Sequence, residues 1–298
     1  MPMALKLAPK NIKEAIPKNR SSFLSVIYVN YFFFIKICDK IRLSEGNGIM
    51  ASKPIYQIYA ELQDYEPKIW RRFQVMNDIT VSRLAYILMT LFEMQGSHLY
   101  KFEVDELNNF ILNHLEHYNK YMNAYDNDEF FKIGQYGCIF EDDDIIPRLD
   151  KRYRELEDAK NIKLKHILDE ENERMEFKYD FGDNWRFNVI LEKIFQDDNI
   201  NGKDLPRVIE GEGFGIIEDC GGVMGLEDIR EAFKIKKGED YEMYSNWLCK
   251  EDLDLEKCDL DDLNFRLKKL PRIFRDSYEY GLEPTDRSIK ILDRDYKL

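Results

Sequence analysis

Two glycine-punctuated stretches group carboxylates closely enough to act together: Tyr179-Asp-Phe-Gly-Asp-Asn-Trp185, and Glu210-Gly-Glu-Gly213 running on to Glu218-Asp-Cys-Gly-Gly222. Glycine takes left-handed turns that residues with a Cβ resist, so each stretch can project several acids from a tight bend. If Asp180, Asp183, Glu210, Glu212, Glu218 and Asp219 converged in space, they would offer hard oxygen ligands to Mg²⁺ or Ca²⁺. Clusters of that kind serve two-metal nucleases. The same residues have a plainer use, because Asp and Asn hydrogen-bond turn amides and surface glutamates are solvated. The plainer use is the expected one, and neither a metal nor a cofactor is assigned.

Other side chains bear on the same question. Arg71 and Arg72 can contact phosphate or pair with these acids. Neighbours on a strand face opposite ways, so the two cannot share a task, and a structural ion pair is expected. Trp70 and Trp185 are expected as core anchors, although a Trp exposed beside Arg can stack on a base. His98 falls between a helix end and a strand. His114 and His117 stand at i, i+3 but lack a third partner at metal-site spacing, so no zinc site is expected. Cys220 is a conceivable nucleophile, yet the acids beside it should raise a thiol pKa, and it is read as packing. The chain contains no Ser-His-Asp or Cys-His arrangement, nucleophile elbow, Walker loop or dinucleotide fingerprint. What remains is a candidate binding groove of Asp180, Asp183, Trp185, Glu210, Glu212, Glu218, Asp219, Arg71, Arg72 and His98, with no catalytic set.

The elements that must position these residues follow from periodicity. Residues 55–62 alternate, with Tyr56, Ile58, Ala60 and Leu62 on one face. Pro67 closes a turn, and residues 69–75 return antiparallel with Ile69, Phe73 and Val75 pointing one way. Thr80 caps a helix whose Val81, Leu84, Ala85, Leu88, Leu91 and Phe92 form an apolar stripe. Gly96 ends it, and 99–104 is a strand. Residues 175–179 and 186–192 form a hairpin about the Asp-Phe-Gly-Asp-Asn turn. Helices are expected at 164–168, 226–233, 241–249 and 260–270. The fold class is α+β: a small, mainly antiparallel sheet with helices packed on it and a helical C-terminal part. Residues 105–160 read as a variable insertion, with a helix over 107–125 and a solvated acidic loop at 141–144. Residues 271–298 read as a charged peripheral tail.

Composition narrows the functional classes. The net charge of −13 repels phosphate backbones, and no basic patch of useful size offsets it, so nucleic acid is disfavoured. Five cysteines without a CxxC pair fit reduced thiols in the cytoplasm. Residues 1–49 stand apart, with eight Lys/Arg against three acids and the apolar run 23–35. That run is short for a membrane span, is interrupted by Asn30, and lacks a good cleavage site after it. Glu45-Gly46 back-translates to a purine-rich ribosome-binding signal shortly before Met50, so Met50 is the expected start and residues 1–49 an untranslated leader, the alternative being a disordered or hydrophobic extension. The body, residues 50–270 with its tail, is then more acidic still and free of any membrane segment.

The pieces Ile55-Tyr-Gln-Ile, Ile69-Trp-Arg-Arg-Phe-Gln-Val, Ser97-His-Leu-Tyr-Lys-Phe, Tyr179-Asp-Phe-Gly-Asp-Asn-Trp, Glu210-Gly-Glu-Gly, Glu218-Asp-Cys-Gly-Gly and the Asn246-Trp-Leu region occur in an order that resembles the plasmid pRiA4b ORF-3-like family. Several motifs in order make a specific signal where one would be weak. The resemblance spans about residues 55–270 and implies an α+β fold from bacteria or archaea, often near mobile elements, but no particular activity. Some members of that family are labelled resolvases or carry DNA-binding domains. This chain departs from the family's pattern by Arg186-Phe187 in place of a His, Arg207 in place of a Cys, and Ile216-Ile217 in place of Pro-Pro. The expected function is a non-enzymatic accessory protein that binds a protein or small ligand. The alternatives are a divalent-metal-dependent nuclease or recombination factor and, third, a DNA-associated regulator.

Overall fold

Alternation of apolar and polar residues sets the first hairpin, and burial follows it. In β1 (Ile55–Leu62), Tyr56, Ile58, Ala60 and Leu62 are all buried, as the pattern predicts. Its partner β2 (Trp70–Met76) buries Phe73 and Val75, and with them Arg71, which shares their parity. The computed structural model describes residues 53–106, 108–109, 113, 133–138 and 153–296. The leader, the helix expected at 107–125, the acidic loop at 141–144 and the His114/His117 pair lie outside the described residues, wholly or almost so.

The remaining strands are β3 (Tyr100–Asp105), β4 (Ile133–Gly137), β5 (Tyr153–Asp158), β6 (Arg174–Tyr179), β7 (Trp185–Phe195) and β8 (Arg207–Glu212). Among the described residues they form one sheet in the order β5-β4-β3-β6-β7-β1-β2-β8. Every pairing is antiparallel except β4 with β5. The sheet is wider than the small one expected. The described parts of the 105–160 insertion supply β4 and β5, and the Glu-Gly-Glu segment read as a loop extends β2 as β8.

Six helices are described: α1 (Val81–Leu91), α2 (Gly222–Ile235), α3 (Glu239–Leu248), α4 (Leu260–Leu267), α5 (Leu270–Tyr280) and α6 (Asp286–Leu292). Thr80 caps α1 as predicted, accepting from the Arg83 amide at 3.1 Å. Residues 164–168 contain only a short 3₁₀ turn, Leu164–His166. The architecture is α+β.

Helix α1 is not the amphipathic surface helix that its stripe implies, since every residue but Arg83 is buried. One side meets the sheet, where Phe92 lies 4.5 Å from Phe187 between ring centroids. The other side is covered by α5 and α4. The first part of the segment expected as a peripheral tail, residues 271–280, therefore packs into the core, while α6 buries no residue. Phe274 and Leu270 are buried, Tyr278 stacks on Tyr86 at 5.7 Å, and Glu279 accepts from Ser82 at 3.1 Å and Tyr86 at 3.2 Å. Leu270, Ile273, Phe274 and Tyr278 form the stripe of α5 that packs into the core, and Glu279 joins it as an acceptor for α1. Among the described residues, no helix is long and apolar enough to cross a membrane.

Candidate functional site

Three chain segments meet beside the C-terminal end of α1. The first is the loop 92–99 leading into β3, the second the β6–β7 turn, and the third the segment 213–222, which leaves β8 and crosses to the turn. The crossing is fixed by backbone bonds. Phe214 N donates to Leu255 O at 2.8 Å, and Ile216 N to Phe92 O at 3.0 Å. Gly221 N then donates to Asp183 Oδ2 at 3.2 Å. Gly222, at φ +77°, lies so close to the turn that an added Cβ would sit 2.6 Å from Asp183 O. The two acidic bends thus share one end of the sheet, as expected, but through residues 218–222 only.

At this junction His98 Nε2 lies 3.5 Å from Asp180 Oδ2, 3.5 Å from Asp219 Oδ1 and 3.7 Å from Glu218 Oε2. It is buried and forms no hydrogen bond. Asp180 and Glu218 are nearly enclosed, whereas the Asp219 side chain is 73% exposed and leaves the cup open on one side. Asp180 and Asp219 both occupy the left-handed region, at φ 52° and 61°, which short acidic residues tolerate better than most.

A hydrogen-bonded frame holds the carboxylates. Glu218 Oε1 accepts from Gln95 N at 2.7 Å and from the Tyr179 hydroxyl at 2.5 Å, and its Oε2 accepts from Ser97 Oγ at 2.5 Å. The same Tyr179 oxygen accepts from the Gly96, Ser97 and His98 amides at 3.1, 3.1 and 3.3 Å. Burial, and then the Glu218 carboxylate, push the Tyr179 phenol far up, so it remains a donor. Asp180 Oδ1 takes the Gly182 amide at 3.0 Å, freeing Oδ2 to face His98. Behind the imidazole, Tyr278 of α5 donates to the His98 carbonyl. Gly96, at φ +80°, lets the loop close on Phe274, whose ring would be 2.6 Å from an added Cβ.

Of the ten candidates, His98, Asp180, Glu218 and Asp219 come together, with Asp183 at the edge bonding the crossing loop. The other five are elsewhere. Arg72 lies on the outer sheet face, where Nε and Nη2 grip Glu192 at 2.7 and 2.8 Å and Nη1 meets Glu210. It faces Tyr59 and Glu210 across the ladder, so β-register makes the ion pair that adjacency on the strand anticipates. Glu212 accepts from Trp70 Nε1 at 3.2 Å on the same face. Trp185 is fully buried. Trp70 is only partly buried, stacked on Tyr59 at 5.5 Å, and so is not the core anchor expected.

Arg71 is fully buried and, among the described residues, pairs with no carboxylate. All five of its N–H groups donate to carbonyls: Nε to Leu91 at 3.1 Å, Nη1 to Trp70 and Glu212 at 2.8 and 2.6 Å, Nη2 to Gly213 and Phe214 at 2.8 and 2.6 Å. Cys220 packs beside the site; burial first, then Asp183, push its thiol up to about 12, so it is no ready nucleophile. Sequence reasoning missed the frame of Gln95, Ser97, Tyr179 and Tyr278. Ser97 and Tyr179 border His98 and Asp180 in the quoted motifs, which was the available signal.

A family model described as plasmid pRiA4b ORF-3-like protein matches residues 54–262. The chain belongs to that family. The match takes in His98, Asp180, Glu218 and Asp219 but stops short of Tyr278. The chain is 23% identical over 211 residues to "Uncharacterized protein y4hQ" of Sinorhizobium fredii (strain NBRC 101917 / NGR234), covering 70% of this chain and 89% of that protein. It is also similar to a crystal structure described as a protein of unknown function, MM3350, from Methanosarcina mazei Go1, with a TM-score of 0.52 and 25% identity over 71% of this chain and 98% of the other.

Proposed function

We propose that this chain is a binding module, not a catalyst, and that its ligand site is the cup of His98, Asp180, Asp219 and Glu218, which takes a divalent transition-metal ion. The observation that carries the reading is the spacing of the donors. Two carboxylate oxygens lie 3.5 Å from an imidazole nitrogen that has no hydrogen bond. Atoms each about 2.1 Å from a common tetrahedral centre are themselves about 3.4 Å apart. One imidazole with carboxylates suits Zn²⁺, Mn²⁺ or Fe²⁺ better than Mg²⁺ or Ca²⁺, which prefer oxygen alone. This reading replaces the expectation of a site without metal, and it keeps the expected groove, reduced to its 218–222 half. The accessory role near mobile elements rests on the family description alone.

A nuclease of the two-metal kind is less well supported, because Glu210 and Glu212 are engaged with Arg72 and Trp70 away from the cup, leaving ligands for one ion. The charge of −13 argues against a DNA-associated regulator.

Thermal unfolding tests the proposal. Zn²⁺ or Mn²⁺ at a hundred times its Kd adds about 2.7 kcal/mol, which raises Tm by roughly 5–10 °C for a domain of this size. Mg²⁺ and Ca²⁺ at equal concentration should do much less. An equal rise in His98→Ala, or no rise with any of the four ions, overturns the reading.

A further inference from the structure

Helix α3 has no buried residue. Tyr241, Tyr244 and Leu248 rest half-covered against the core, and the adjoining stripe, Met243 and Trp247 at i, i+4, is 54% and 46% exposed. Met224 of α2, the helix packed against α3, is 81% exposed as well. Burial first, then Asp228 and Asp240, push the Tyr244 phenol up, so these acids stand near it. Trp247 stands 6.4 Å from Tyr244 between ring centroids. Exposed apolar groups clustered in this way mark interaction sites, and methionines adapt to varied partners.

The exposed acids on and beside α3 outnumber the two lysines, Lys237 and Lys250, that flank it. Asp228, Glu239, Asp240 and Glu242 are exposed, and none forms an ion pair among the described residues. Elsewhere on these helices acids are matched, as Glu227 and Glu231 are by Arg230. A second copy of the chain would bring the four acids against themselves, and an anionic lipid surface would be repelled. A cationic partner is attracted.

We propose that Met243 and Trp247 form a docking surface for a lysine- and arginine-rich amphipathic helix of a partner protein. Its apolar side would cover Met243 and the indole, and its cations would meet the four unpaired carboxylates. The surface shares no residue with the His98 cup and does not depend on what that cup binds.

The test is calorimetric titration of the full chain with a synthetic helix of about 18 residues, leucine on one face and lysine on the other. Two controls keep the length: glutamate for lysine, and glutamine for leucine. Saturable one-to-one binding is expected for the first peptide and for neither control. Trp247→Ala should weaken it at least about tenfold, and so should the pair Glu239→Gln and Asp240→Asn. All three positions are exposed, so unchanged melting temperatures will certify the fold. Equal binding of the glutamine control would reduce the effect to bulk charge and overturn the proposal. So would undiminished binding by Trp247→Ala, or self-association of the wild type in sedimentation that Trp247→Ala abolishes.

Discussion

Arg71 and His98 lie near opposite ends of the same connection, the segment that leaves β8 and crosses the end of α1, and both carry buried nitrogens. Every N–H of Arg71 has a carbonyl within 3.1 Å. The Nε2 of His98 has three carboxylate oxygens near it and a hydrogen bond to none. The first arrangement is complete and fixes where the chain goes. The second is incomplete, and buried polar groups without partners cost free energy unless something binds them. The carbonyls around Arg71 fix the path of the chain, whereas the unbonded Nε2 of His98 is the atom on which the proposed ligand site rests.

Arg71→Ala is expected to be the most damaging substitution. It strips donors from the carbonyls of Leu91, Trp70, Glu212, Gly213 and Phe214, and a loss of about 3–5 kcal/mol is expected in urea unfolding. His98→Ala should stay within about 1 kcal/mol of wild type in the same measurement while losing the metal response. Comparable losses in both would erase the distinction.

Next comes the brace behind the imidazole. Tyr278→Phe removes the donor to the His98 carbonyl, for about 1 kcal/mol of stability and a severalfold weaker metal response. Asp219→Asn should have the smallest effect and the opposite sign. It relieves repulsion among Asp180, Glu218 and Asp219, so the metal-free protein gains up to about 0.5 kcal/mol, yet its melting temperature no longer rises with Zn²⁺.

The outer face gives a pH test independent of the cup. Burial pushes Glu192 and Glu103 up, but Arg72 and the Lys101–Lys178 pair more than reverse this and hold both below their ordinary value of 4.5. Depressed carboxylates stabilise the fold above the unfolded value and lose that contribution as pH falls through the folded one. Melting temperature should therefore drop below about pH 4.5, and Glu192→Gln should flatten part of that limb.

Much of the sheet was legible because alternation and burial agree: Tyr56, Ile58, Ala60 and Leu62 all point inward. Arg71 was not legible as a core residue, although its parity with Ile69, Phe73 and Val75 placed it there. A charge at a core position reads as outward until its carbonyl partners are known. β8 was missed because Glu-Gly-Glu-Gly has turn composition, and its pairing depends on Trp70 and Arg72 across the ladder. The helical stripe of α1 hid its second buried side, since α5 arrives from nearly 200 residues later and its stripe of Leu270, Ile273, Phe274 and Tyr278 is interspersed with charges. In the site, the residue types were visible and the meeting of 98, 180 and 218–219 was not, because it depends on a crossing segment held by backbone bonds.

The hydroxyl of Tyr278 on the His98 carbonyl has a practical corollary. The family match ends at 262, sixteen positions before that tyrosine. A fragment cut at the recognisable border would keep all four cup residues and lose the wall they lean on, along with Phe274 and the cover over α1. The smallest excisable unit is therefore longer than the stretch by which relatives are recognised.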